Sequence, residues 1–259
     1  MRVKRSQTIY FEKRYLKTMA KKSKVEAVDR EQISVSVVIP VFNEELTIGD
    51  IVARTKSTLE QSKLPYEVLV VDDGSVDRSA EISQASEAQV IREAHQGKGN
   101  ALRLGFERAK GDVIVALDSD GSHQPEEIPL ILRYMIENKA DFVIGSRFLN
   151  TDVNISKIPK VNRIGNKMFN NLIQLLTGTK ITDSQSGLRA IRSSVIKEMK
   201  LKSRGYEVES EMLVKALKMG VRVAEIPVSF EQRTVGKSKL DPLKDGTKIL
   251  YSIITSYLF

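Results

Sequence analysis

Two aspartates one residue apart, in Asp118-Ser119-Asp120, stand just past a run of apolar, largely β-branched residues. Carboxylates that close repel each other unless a cation neutralises them, so the pair suits a shared divalent ion. A cation held this way keeps several waters and bridges substrate phosphates. The pattern is short and fits a solvated loop equally well, and its weight comes from its company. Asp72-Asp73-Gly74-Ser75 ends an earlier apolar run. Its carboxylates can accept hydrogen bonds from a base or ribose, while Gly74 permits a tight turn and Ser75 can cap the next helix. Pro40-Val41-Phe42-Asn43-Glu44 closes the first apolar run and reads as a helix entry, with Asn43 as cap and Glu44 near the helix dipole.

Cations complement these acids. Gln96-Gly97-Lys98-Gly99-Asn100 places a glycine-flanked lysine before a helix, a natural anion contact. It lacks the spacing of a phosphate-binding loop of the ATPase kind, which excludes that class. Arg233 and Gly236-Lys237-Ser238-Lys239 form a basic turn that can close over a diphosphate or simply be solvated. The chain has no cysteine and two histidines, His95 and His123. Thiolate nucleophiles, iron–sulfur clusters, Cys-based zinc sites and three-His metal sites are therefore excluded. Neither histidine lies in a nucleophile elbow, so no Ser-His-Asp triad is read. Any metal must be held mainly by oxygen, which points to Mg²⁺ or Mn²⁺.

The elements that position these groups are read from the hydrophobic pattern. Apolar runs at Val35–Pro40, Tyr66–Val71, Gln89–Ile91, Asp112–Leu117 and Asp141–Gly145 read as buried strands. Helical spacing fills Glu44–Gln61, 77–86, 98–109 and Pro125 to about Asn138. Alternating strands and helices of this kind predict an α/β fold, a mostly parallel sheet with helices on both faces. Ligands of such sheets bind beyond the carboxyl ends of the strands, where the polar clusters fall. Residues 207–219 read as a helix and Val221 to Phe230 as a late strand.

Charge and length fill in the rest. The 259 residues hold 41 Lys plus Arg against 33 Asp plus Glu, a net +8, with 41% apolar and 29% charged residues. That balance belongs to a soluble globular chain able to bury a sizeable core. Residues 1–32 carry ten basic and four acidic side chains, so most of the excess sits in an N-terminal arm. Such an arm suits an anionic membrane surface, nucleic acid or a solvated tail, and it lacks the apolar core of a secretory signal. Between 153 and 182 lie Lys157, Lys160, Arg163, Lys167 and Lys180 without an acid. Val161, Ile164, Met168, Leu172, Leu175 and Leu176 recur there at helical spacing, giving a basic amphipathic helix over about 158–177. Ile249–Phe259 is strongly apolar but too short to span a bilayer, which takes about 20 residues.

In order, V-V-I-P-V-F-N-E, V-V-D-D-G-S, G-K-G-N-A-L, D-S-D-G-S-H-Q-P, I-G-S-R and D-S-Q-S-G-L-R-A resemble glycosyltransferase family 2 over roughly residues 34–240. Asp118–Pro125, Gly145-Ser146-Arg147 and Ser186-Gly187-Leu188-Arg189 look most like its dolichyl- and polyprenyl-phosphate sugar transferases. The resemblance implies a glycosyltransferase A-type, Rossmann-like fold over 33–240, followed by a C-terminal amphipathic or juxtamembrane helix over 241–259. It implies inverting, metal-dependent transfer of a hexose from a nucleotide sugar of the GDP-mannose or UDP-glucose type to dolichyl or polyprenyl phosphate. A soluble transferase acting on a small-molecule or glycan acceptor is the alternative.

Carried over residue by residue, Pro40, Val41, Phe42 and Glu44 would border the nucleotide, with Asp72 and Asp73 toward base and ribose. Lys98 and Ser119 would bind the nucleotide sugar, and Arg233 and Lys239 would reach the diphosphate or the acceptor phosphate from the closing turn. Asp118 and Asp120 would hold Mg²⁺ or Mn²⁺ with help from Gln124, and Arg147 would take phosphate on the acceptor side. The expected partners are a nucleotide sugar, the lipid phosphate and a membrane surface at the cytoplasmic face, and not nucleic acid. No catalytic base can be placed in Tyr206–Glu211. A phosphate acceptor needs none, because its second pKa is about 6 and its oxygen is already ionised.

Overall fold

The computed structural model describes residues 33–149, 155–233 and 239–259. The predicted arm over 1–32 and Gly236-Lys237-Ser238 of the basic turn lie outside the described residues. In chain order the elements are β1 (Val35–Val41), α1 (Ile48–Ser62), β2 (Tyr66–Asp73), α2 (Ser79–Ala85), β3 (Gln89–Glu93), α3 (Lys98–Arg108) and β4 (Val113–Ala116). Then come α4 (Ile128–Glu137), β5 (Phe142–Ser146), α5 (Lys160–Thr177), β6 (Arg189–Arg192), α6 (Ser193–Glu198), α7 (Val208–Met219), β7 (Val223–Pro227) and α8 (Lys244–Leu258).

The strands form one sheet in the order β3-β2-β1-β4-β6-β5-β7. All described pairings are parallel except those of β6, which runs antiparallel to β4 and β5. Every residue of β1 is buried because neighbours cover both of its faces. Successive side chains of a strand point to opposite faces. Val38 accordingly joins the core beneath α3, α5 and α7, while Val37 and Ile39 join the core beneath α1 and α4. Helix α3 sits very close to the sheet: a Cβ at Gly105 would lie 2.3 Å from Val38 Cγ1.

Strand β6 was not visible in the pattern. Arg-Ala-Ile-Arg is four residues long with a charge at each end, so it has too few positions for a period to show. Its insertion between β4 and β5 brings the D-S-Q-S-G-L segment that precedes it alongside the loop after β4.

Helix α5 buries Phe169 and Ile173, and Leu172 and Leu176 pack at the edge of the core. Its other apolar side chains, Val161, Ile164, Met168 and Leu175, stay exposed. Helix α8 packs against α7 and α5 and exposes Tyr251, Ile254 and Leu258. No helix among the described residues is long and apolar enough to cross a membrane.

Candidate functional site

A cleft of about 1440 Å³ opens at the carboxyl ends of β1, β2 and β4. Of the residues singled out in the sequence, Pro40, Val41, Phe42, Glu44, Asp73, Lys98, Asp118, Ser119, Asp120, Arg233 and Lys239 line it. Asp72, Gln124 and Arg147 are not among its lining residues.

On the β1–β2 side the wall is aromatic. The rings of Phe42 and His95 stack at 4.1 Å with 19° between their planes. His95 Nδ1 lies 2.8 Å from Asp73 Oδ2. The Asp73 carboxylate also accepts from the backbone N–H groups of Gln96 (2.7 Å) and Gly97 (2.9 Å). Asp73 is thus locked by the loop that leads into α3. Asp72, its neighbour on a pleated strand, faces the other way. It accepts from the N–H of Ser75 at 3.1 Å and has Arg92 at 3.8 Å.

Charge concentrates around the loop after β4. Lys98 Nζ lies 2.6 Å from Asp118 Oδ1 and 2.7 Å from Glu209 Oε1, with the Tyr206 ring 5.8 Å away. Burial alone would lower the pKa of this ammonium, but Asp118 and Glu209 reverse that and hold it above the ordinary lysine range. Burial likewise works against charge on Asp118, yet Lys98 and the other cationic neighbours keep its carboxyl below the usual range. A Cβ at Gly187 would fall 2.0 Å from Asp118 Oδ2, so only glycine lets this loop backbone lie against the carboxylate. Asp120 accepts from the Ser122 N–H (3.0 Å) and hydroxyl (2.7 Å), and Arg233 Nη1 is 4.0 Å from its other oxygen.

The closing cations are held in place. Arg233 pairs with Glu44, and Lys239 Nζ lies 2.9 Å from Glu44 Oε1 and 3.0 Å from the Asn43 carbonyl oxygen. His123 is 1% exposed, with Nε2 3.2 Å from Ser186 Oγ and its ring edge-on to Phe230. Burial pushes its pKa down to about 4 against the pull of Asp118, so the ring is neutral at pH 7 and orders the turn.

Behind the cleft lies a second polar layer. Arg147 is bidentate to Asp183, through Nε at 2.7 Å and Nη2 at 2.8 Å. Asp183 and Thr182 donate their N–H groups to Glu225, each at 2.8 Å. Arg189, 1% exposed, donates to the carbonyl oxygens of Ser184, Ser186 and Glu209, each at 2.6 Å. Asn170 of α5 donates to the Thr182 carbonyl at 2.7 Å and accepts from the Ser184 N–H at 3.0 Å. The D-S-Q-S-G-L-R-A segment therefore fixes the loop that presses on Asp118. Sequence reasoning missed Glu209, Tyr206, Asp183 and His95 as site residues. The signal for Asp183 was its place at the head of that motif, and for His95 its position just before Gln96-Gly97-Lys98.

The donor set fits a hard cation. Asp118 and Asp120 both face the cleft and supply only oxygen. Among the described residues no group of three His, Cys, Asp or Glu side chains joins to hold a metal. Gln124 lies outside the cleft lining, and its carbonyl oxygen accepts from Arg54 Nη2 at 2.5 Å. A divalent ion held by this pair would have two protein ligands and would need water and phosphate oxygens for the rest, which suits Mg²⁺ or Mn²⁺.

The model of the family described as Glycosyl transferase family 2 matches residues 36–200. An uncharacterised protein of Methanocaldococcus jannaschii, MJ1222, is 33% identical over 92% of this chain and 97% of its own. An undecaprenyl-phosphate 4-deoxy-4-formamido-L-arabinose transferase of Edwardsiella ictaluri is 33% identical over 85% of this chain and 67% of its own. Among solved structures, glucosyl-3-phosphoglycerate synthase of Mycobacterium tuberculosis, crystallised with Mn²⁺, uridine diphosphate and phosphoglyceric acid, aligns with a TM-score of 0.70. That alignment covers 87% of this chain and 78% of the other at 20% identity, a likeness of fold.

Proposed function

The chain belongs to glycosyl transferase family 2 and has its A-type fold, and from that premise we propose transfer of a hexose from a nucleotide sugar to dolichyl or polyprenyl phosphate, with inversion. The donor is of the GDP-mannose or UDP-glucose type. The observation that carries the lipid acceptor is the outer face of α5. Ile164 and Leu175 are 70% and 81% exposed beside Arg163 and Lys167, on a helix whose other side is packed on the core. An apolar stripe flanked by cations fits the interface of an anionic membrane. The name of the Edwardsiella relative agrees with a polyprenyl phosphate. Membrane association at the cytoplasmic face goes with this reading, with α8 and the basic arm over 1–32 adding to the contact.

In this reading the Phe42–His95 stack gives the base an aromatic surface, and Asp73, locked by two backbone amides, sets the ribose. An oxygen of the acceptor phosphate attacks the anomeric carbon as the bond from that carbon to the diphosphate breaks. The electron pair leaves with the nucleoside diphosphate. Lys98, Arg233 and Lys239 stand where that charge develops, and fixed cations there favour the transition state. Asp118 and Asp120 would hold Mg²⁺ or Mn²⁺, which when bound spreads the charge of the leaving diphosphate. Arg147 serves the acceptor side through Asp183 and the loop it fixes. No residue takes a proton, because the attacking oxygen carries none at neutral pH.

The test is a donor screen. Purified protein is incubated with labelled GDP-mannose, UDP-glucose or UDP-N-acetylglucosamine and polyprenyl phosphate in liposomes. One donor should move label into the organic phase. Label appearing only on water-soluble acceptors would replace this reading with that of a soluble transferase.

A further inference from the structure

Lys98 poses an electrostatic problem for the proposed cation site. Its ammonium lies 2.6 Å from Asp118, one of the two carboxylates proposed to hold a divalent ion. A fixed positive charge on a metal ligand repels a second cation strongly in a partly buried site, unless something cancels it. Glu209 can cancel it. Its Oε1 is 2.7 Å from the same ammonium, and the residue is 4% exposed at the start of α7. The position is enforced from two directions. Arg189 grips the Glu209 carbonyl, and Lys98 is fixed at the start of α3, where the Gly99 N–H donates to the Arg204 carbonyl at 2.7 Å. Glu209 Oε2 is buried and has no hydrogen-bond partner, so the carboxylate is committed to this one ammonium.

We infer that Glu209 is a positioning residue for the cation site: by sharing Lys98 with Asp118, it offsets the ammonium and leaves Asp118 free to hold a divalent ion beside Asp120. The inference rests on the metal-dependent reading above and adds a residue to it. Glu209 is not among the residues that line the cleft. Its effect is on cation affinity, which distinguishes it from a base.

The experiment is a Mn²⁺ titration followed by electron paramagnetic resonance, on the full chain, with Mn²⁺ alone and with saturating UDP or GDP. Glu209→Gln keeps the shape and one hydrogen bond to Lys98 but removes the charge, and should weaken Mn²⁺ binding tenfold or more. Glu209→Asp should stay closer to the parent chain. Lys98→Met removes the ammonium and should tighten binding of Mn²⁺ alone. The double variant Lys98→Met/Glu209→Gln should return to within about threefold of the parent. Circular dichroism checks that each variant is folded, and if Glu209→Gln is not, the Lys98→Met titration decides alone. Binding by Glu209→Gln within twofold of the parent, a double variant no better than Glu209→Gln, or unchanged or weaker Mn²⁺ binding by Lys98→Met would overturn the inference and leave the transferase reading standing. A parent chain that binds no Mn²⁺ with either nucleotide would take down the metal-dependent reading together with this one.

Discussion

The two sides of the sheet carry their charges differently. At the β1–β2–β4 edge, Glu44, Asp118 and Asp120 line an open cleft, and Arg233, Lys239 and Lys98 sit against them on the same cleft wall. Across β5, β6 and β7, Asp183, Glu225 and Arg189 are sealed from solvent, each satisfied by groups that belong to the fold. Ion pairs that border a cleft can be exchanged for a ligand's charges. Those that are sealed cannot, and their removal leaves a charge buried without a partner. In the proposed reading the first set recognises the donor and the second holds that set still.

The largest effect is expected on the sealed side. Asp183→Ala removes the bidentate carboxylate that Arg147 pairs with and loosens the loop that presses on Asp118. It should lower stability by about 3–5 kcal/mol, read by urea denaturation, with activity lost as the site loosens. A variant as stable as the parent would place Asp183 among the exchangeable charges. On the cleft side, Asp118→Asn should do the reverse. Lys98 keeps Glu209, so the denaturation midpoint stays close to the parent while the transfer rate drops roughly 10²-fold or more. A chelator should reproduce that drop, and full activity in its presence would remove the metal from the reaction.

Lys239→Ala is the milder cleft-side case. Its pair with Glu44 is one-third exposed on the lysine side, and such pairs contribute about 0–1 kcal/mol to stability. The donor KM should rise about tenfold, a loss of about 1.4 kcal/mol, with kcat changed less. A shift in stability with no change in donor KM would move Lys239 to the scaffold.

The smallest effect is a pH dependence from the sealed side. Burial pushes the Glu225 carboxyl up to about 7, above its value in an unfolded chain, despite the two backbone N–H groups it accepts. A raised acid binds its proton more tightly when folded, so its contribution is full below about 4.5 and is lost as pH rises through 7. The denaturation midpoint should therefore decline from about pH 5 to pH 8, and less steeply in Glu225→Gln. Parallel slopes would show that Glu225 does not titrate in this range.

The same division explains what the sequence disclosed. The strand-end clusters were legible because a buried parallel strand is a continuous apolar run, and the first polar residues after it must lie at the ligand edge. Of two adjacent aspartates on a pleated strand only one can face that edge, and here it is Asp73. The sealed side was opaque for a different reason. Arg189 stands in a motif the sequence offers, yet its burial is not legible there, because that depends on the sheet position of β6 and on the Glu209 carbonyl oxygen that α7 brings in beside those of Ser184 and Ser186. Nor did the motif show that the Gln124 carbonyl oxygen accepts from Arg54, on a helix far back in the chain. Partners set by tertiary contact leave no period behind. Likewise α5 showed its apolar residues but not that Leu172 and Leu176 turn to the core while Ile164 and Leu175 face out.

The central claim is that this site transfers sugar to an oxygen that arrives already ionised. Initial rates with polyprenyl phosphate and with the polyprenol of equal chain length, under one donor and one metal concentration, test it most directly. Transfer to the phosphate should be rapid and the rate with the alcohol lower by about 10²-fold or more, since the described cleft supplies no residue assigned to take its proton. Comparable rates for the two acceptors would contradict it.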